Sequence, residues 1–294
     1  YQIGMEKFAE LVDAKTNGEV KVEVFHSAQL GNERELVEAL QMGTTDICLI
    51  STAPMAGFSK DFLVYDLPYL FTSPSQAYEI LDGPIGQESM KGIEKANLIG
   101  LAFWENGFRN ITNSKLELIS PADLKGLKIR TMENKIHMAT FRALGADPTP
   151  IASGEVFTAL QQKTVDGQEN PYLSIASMKL YEVQNYMVVS KHSYLEYIMC
   201  SSKNWWDGLD AETQALFDEV IRKNQQFCYD RLQEMNKGYL ETIEAGNIEI
   251  YELTPEEREV FREASQPVYD TFGKEIGEEV LQKVIDFLAD PANQ

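Results

Sequence analysis

The run from Asp210 to Gly246 constrains this chain more than any other feature of its sequence. Asp210 is a good N-cap, and Leu216, Val220, Ile221, Phe227, Leu232 and Ile243 follow at helical spacing, with Gly238 as the only breaker before Gly246. At ~1.5 Å per residue such a helix is roughly 50 Å long, more than one lobe requires. It can brace two lobes at once, or extend as a coiled-coil arm, since the pattern also contains charges. The chain has 294 residues, which suits two lobes of ordinary size. With 44% hydrophobic and 24% charged residues it can fill their cores and is neither low-complexity nor disordered.

Upstream, helix and strand signals alternate. Met5, Phe8, Leu11 and Val12 have helical spacing, Asn17-Gly18 is a turn, and Val20, Val22 and Val24 alternate with charged residues as a strand would. A helix through Leu36, Val37 and Leu40 ends at Gly43 and leads into the apolar strand Ile47 to Ile50. Strands are also expected at Asn97 to Phe103 and Leu127 to Thr131. A helix is expected from Ile136 to Leu144, a loop at Pro148 to Pro150, and a helix from Glu155 to Gln162. This alternation predicts a parallel sheet covered by helices. Such a sheet normally opens on a strand, so a strand is expected before Tyr1. The motif A-L-Q-x-x-T-x-D occurs at Ala39 to Asp46 and again at Ala159 to Asp166, an internal echo that fits two lobes of similar build. Thr254-Pro255-Glu256-Glu257 opens a helical, acidic C-terminus.

The net charge of −20 disfavours nucleic acid and anionic membrane surfaces as partners. An anionic ligand must therefore be held by a locally placed cation. Cys48, Cys200 and Cys228 form no C-x-x-C pair and read as free thiols. His26, His137 and His192 are scattered, with no metal-binding spacing, and read as ordinary surface or hydrogen-bonding residues. No G-x-S-x-G, Walker or G-x-G-x-x-G motif occurs, and acids such as Asp66 and Glu169 carry no signal among so many carboxylates. The sparse arginines are more informative. Arg109 follows a strand within Trp104 to Asn110, and Arg130 ends the strand Leu127 to Thr131. Ligands of α/β sheets bind beyond the carboxyl ends of strands, and arginine pairs bidentately with carboxylates. Each arginine has an alternative reading as the ion-pair partner of an Asp or Glu. Asn170, in Gly167 to Pro171, offers both a donor and an acceptor, or else is a turn residue before proline.

Six stretches carry a resemblance in order along the first two-thirds of the chain. They are Ser27 to Gly31, Asp66 to Phe71, Asn106 to Arg109, Gly126 to Arg130, Ala143 to Pro150 and Thr158 to Pro171. Together they resemble the solute-binding proteins of tripartite ATP-independent periplasmic (TRAP) transporters, DctP family. The resemblance implies an α/β, type II-like periplasmic binding fold, two lobes closing on a cleft by hinge motion with a long helix across both. Residues 1–107 plus 196–235 would form lobe I, and 108–195 plus 236–294 lobe II. It implies a carboxylate salt bridge at Arg130, a second anion contact at Arg109 and a polar contact at Asn170. Asn32 and Ser51 match further contact positions, and Trp104, Glu133 and Ser153 complete the expected ligand-binding set. Ser153 departs from the family, where an aromatic residue often stands, leaving room for a bulkier ligand. The implied function is capture of a small organic acid, whether sugar acid, dicarboxylate or aromatic or keto acid, for delivery to a membrane permease. It implies a periplasmic monomer with no cofactor, no metal and no catalytic residues. A sensor domain of the same fold, or an extracytoplasmic enzyme anchored by Arg130, are the rival readings.

Overall fold

Two strands organise the molecule, each about three times the usual strand length. They are β2 (Leu98–Asn113) and β6 (Tyr186–Ser202), antiparallel neighbours in a single sheet of seven strands. The computed structural model describes residues 1–290. The other strands are β1 (Ile47–Ser51), β3 (Lys128–Thr131), β4 (Asp147–Pro150), β5 (Gly167–Asn170) and β7 (Glu249–Glu252). The order is β1-β6-β2-β5-β3-β4, with β7 on β6. β1 pairs with one end of β6, while β5 and β7 pair with the other ends of β2 and β6, so the sheet has two halves joined through the long strands.

Side chains alternate along β6 between the faces of this sheet. Met187 and Val189 enter one cluster with Val156, Ile175 and Ile243, while Val188 joins Ile129, Phe141 and Leu253. In the other half, Ile198 and Cys200 pack with Ile50, Phe62 and Phe103, and Met199 packs with Phe8, Trp104 and Phe217. Helices thus cover both faces of both halves, as the near-continuous apolar strands require. The helix Ala211–Glu244 runs 34 residues. Its Phe217, Val220 and Ile221 sit in a cluster of the first half and its Ile243 in one of the second, so it spans the molecule as expected.

The long strands do not cross in perfect register. Pairing shifts between Glu105 and Gly107, and Gly107 (φ +106°) faces Leu195. Bulges bend a strand, and positive φ costs glycine little. The register shift lies in the middle of β2, between the stretch that leads to β1's side of the sheet and the stretch that pairs with β5.

Several expectations are corrected. The sheet is mixed: β3, β4 and β5 run parallel, but β2 and β6 reach it by long antiparallel pairing across the molecule. The segment Val20 to Val24 alternates in burial but has no strand partner among the described residues, and a strand exists only by pairing. Pro148 and Pro150 lie in a strand rather than a loop. Asp147 and Ile151 donate to the carbonyls of Leu127 and Thr131, so the alternate proline nitrogens fall on the unpaired side of this edge strand, where a missing N–H costs nothing, although Pro148 itself is buried. The C-terminal helices Pro267–Ile276 and Glu278–Ala289 also depart from the expected division, because Val268, Ile276 and Val284 pack in the first-half cluster of Ile50 and Phe103.

Candidate functional site

Arg130 extends from β3, whose Cα partners are Thr149 on β4 and Gln168 on β5. Its side chain is 3% exposed, and its guanidinium makes a single hydrogen bond, from Nε to the Ile151 carbonyl at 2.8 Å. Among the described residues no carboxylate lies within ion-pair distance of it. Burial lowers its pKa to about 10, a shift that the charge of Glu169 opposes. A buried cation without a counter-charge is costly.

Arg109 is different. It lies inside β2, not after a strand, and is fully buried. Its Nε and Nη2 donate to the Glu169 carboxylate, with Nη2 2.8 Å from Oε1 and 2.5 Å from the Glu169 carbonyl. The ion-pair reading therefore holds for Arg109, leaving only Nη1 buried and without a partner. His192 Nε2 is 3.3 Å from the same carboxylate. Burial alone would raise the pKa of Glu169, but the charge of Arg109 and the hydrogen bonds from His192 and Arg109 hold it below the usual carboxylate range. Burial lowers that of His192, against the pull of Glu169. Asn170 belongs to the same network, donating to Gln168 at 2.6 Å and accepting from Arg109 at 3.3 Å.

The first half of the sheet presents a second set. Ser51 ends β1 opposite Tyr197 on β6. Its backbone N–H donates to Glu33 Oε1 at 2.8 Å and its hydroxyl to the same oxygen. Glu33 opens the helix Glu33–Met42, whose N-terminal dipole favours its charge. Arg34, the residue after Glu33, pairs at 3.0 Å with Glu133, three residues beyond Arg130, so the N-terminus of this helix lies against the segment that follows β3, and the charge of Glu33 acts on Arg130.

The remaining expected residues lie outside these contacts. Asn32 is exposed and closes a capping box with Glu35. Glu133 is exposed and pairs with Arg34 at 3.0 Å across the two halves. Ser153 is exposed, its hydroxyl 4.0 Å from the Met178 sulfur. Trp104 is 1% exposed, sits in the core cluster of Phe8 and Phe217, and packs so closely on Gly4 that a Cβ there would lie 2.8 Å from its ring. Glu169, His192, Glu33 and Tyr197 carried no sequence signal, because only the long-range register brings them together.

A second buried cluster joins the two halves. Asn134 donates to the Ala53 carbonyl at 2.9 Å and to Asp66 at 2.7 Å, and His137 Nε2 lies 3.2 Å from Asp66. Glu196, on β6, accepts from Thr52. Its carboxyl is pushed well above the usual range by burial and then by the charge of Asp66. His137 and His192 are thus buried beside acids rather than at the surface. Cys48, Cys200 and Cys228 are free thiols. Among the described residues no acid, histidine and cysteine group has metal-binding geometry, and no helix is long and apolar enough to cross a membrane.

Two half-sheets joined by bent strands, with polar sets facing each other between them, define the class of two-lobe solute-binding folds, and comparison with known proteins agrees. The chain belongs to the DctP family, bacterial extracellular solute-binding protein family 7, whose family model matches residues 1–275. The C4-dicarboxylate-binding periplasmic protein DctP of Rhodobacter capsulatus is 37% identical over 96% of this chain and 85% of its own length. The sugar acid binding protein DctPAm of Advenella mimigardefordensis, solved with galactonate, has a TM-score of 0.94 and 37% identity over 96% of this chain and 91% of its own. A TRAP periplasmic solute-binding protein of Polaromonas, solved with D-erythronate, has a TM-score of 0.93 and 37% identity, covering 97% and 93% of the two chains.

Proposed function

We propose that this protein captures a small organic acid between its two half-sheets through a salt bridge to Arg130 and delivers it, in the periplasm, to a TRAP permease. The carrying observation is that Arg130 is 3% exposed and has no acidic partner among the described residues. A ligand carboxylate supplies the missing counter-charge in a bidentate geometry that a planar guanidinium favours. Arg109 is held by Glu169 through Nε and Nη2, the latter also donating to Asn170, so only its Nη1 is left for a ligand. Closure about the bend at Gly107 removes water from the pair and strengthens it. The acids bound by the Rhodobacter, Advenella and Polaromonas relatives support this class of ligand. No metal or cofactor enters the scheme, and the ligand leaves chemically unchanged.

A thermal-shift screen of refolded protein against sugar acids, C4-dicarboxylates, keto acids and aromatic acids tests the reading. A ligand at ~100 times its dissociation constant adds about 2.7 kcal/mol of stability, a clear rise in melting temperature. Arg130→Ala is expected to abolish that rise and Arg130→Lys to reduce it severely. A response to neutral or cationic solutes alone, unchanged in Arg130→Ala, overturns it.

A further inference from the structure

The charges that face one another across the cleft are unequal. Among the described residues only Arg109 and Arg130 are buried cations, and the charge of Arg109 is balanced by Glu169. One positive charge is therefore free for a ligand. The opposite wall carries a carboxylate, Glu33, not a second cation. Both of Ser51's donors converge on Glu33 Oε1, so Oε2 keeps its capacity to accept. Arg34, one residue along the same helix, is exposed and already shared between Glu38 and Glu133.

We infer that the cleft selects a polyhydroxylated monocarboxylate of the sugar-acid class, with its carboxylate on Arg130 and a hydroxyl donating to Glu33. The inference rests on the proposed binding function and narrows its ligand. A C4-dicarboxylate bound at Arg130 directs its second carboxylate toward the wall that Glu33 makes negative, with no free cation to receive it. Like charges close together in a water-poor cleft repel strongly, and a carboxylate brings no donor to a carboxylate. A hydroxyl donates to Glu33 in a charge-assisted hydrogen bond, the stronger kind. An unsubstituted fatty acid leaves Glu33 Oε2 desolvated and unpaired, which also costs affinity. Glu33 thus acts as a filter that rewards hydroxyls and penalises a second charge.

Calorimetric titration of refolded protein with D-galactonate, D-erythronate, succinate and hexanoate tests the inference. At least one of the two sugar acids is expected to bind at least tenfold more tightly than succinate and hexanoate. In Glu33→Gln the preference over succinate is expected to shrink at least tenfold, because the repulsion goes with the charge. In Glu33→Asp the charge stays but is withdrawn by one methylene, so sugar acids weaken while succinate stays excluded. Melting temperatures of both variants near wild type establish that they are folded, and the wild-type ranking does not depend on either. Succinate or hexanoate matching the sugar acids in wild type, or an unchanged ratio in a folded Glu33→Gln, overturns the filter while leaving acid capture intact. Failure of wild type to bind either sugar acid overturns the inference, and acid capture falls with it only if the wider acid screen also gives no response.

Discussion

Arg130 and Arg109 are two arginines with opposite energetics. Arg109 and Glu169 form a fully buried pair, and removing one partner leaves the other charge stranded. Glu169→Gln is therefore expected to cost about 3–5 kcal/mol, read as a lower urea midpoint. The pair is also linked to pH. With its folded pKa depressed, Glu169 contributes stability that is present above the unfolded value of ~4.3 and lost as pH falls through the folded value. Glu196 works in the other direction. Its folded pKa is raised, so its contribution is present below ~4.3 and lost as pH rises toward the folded value. Glu196→Gln, an isostere of the protonated acid, is expected to gain stability relative to wild type as pH rises from 5 to 8. Urea midpoints of both proteins across that range check it, and a gap independent of pH contradicts it. The placement of Arg130 in a strand was legible in the sequence, because the strand and its arginine are contiguous. The fate of Arg109 was not, since 46 acids offered partners and only the register of β2 on β5 selects Glu169.

At the scale of elements, the repeated A-L-Q-x-x-T-x-D motif has a structural counterpart in both halves. Each copy ends a helix with a left-handed residue, Gly43 (φ +72°) in one and Lys163 (φ +57°) in the other. Each is closed by the same wrap-around bond, Thr44 N–H to the Ala39 carbonyl at 3.0 Å and Thr164 N–H to the Ala159 carbonyl at 2.9 Å. A Cβ in this conformation costs roughly 1–2 kcal/mol. Lys163→Gly is accordingly expected to stabilise the protein slightly and Gly43→Ala to destabilise it, both read by thermal unfolding. Local signals of this kind found the helices. They failed where pairing decides: Val20 to Val24 alternates correctly but has no strand partner among the described residues, and the prolines of β4 hid a strand that tolerates them because their nitrogens lie on its unpaired edge.

At the scale of the molecule, the long helix was legible from its spacing, and it bridges the clusters of both halves as its length required. The course of β2 and β6 across both halves was not, because bulges at Gly100, Gly107 and Arg109 interrupt the pattern of each strand. Arg34 and Glu133 join the two halves at the surface. An exposed pair of this kind is worth about 0–1 kcal/mol, so in the proposed scheme the ligand carboxylate on Arg130, rather than this pair, drives closure. Ligand is therefore expected to compact the protein, a fall in the radius of gyration by small-angle scattering that Arg130→Ala does not show. The most direct measurement is calorimetric titration of refolded wild type and Arg130→Ala with the acid giving the largest thermal shift, and with its neutral amide. A salt bridge from Arg130 predicts tight binding of the acid to wild type, at least a hundredfold loss in a folded Arg130→Ala, and no binding of the amide to either. Equal affinity of wild type and Arg130→Ala for the acid contradicts it.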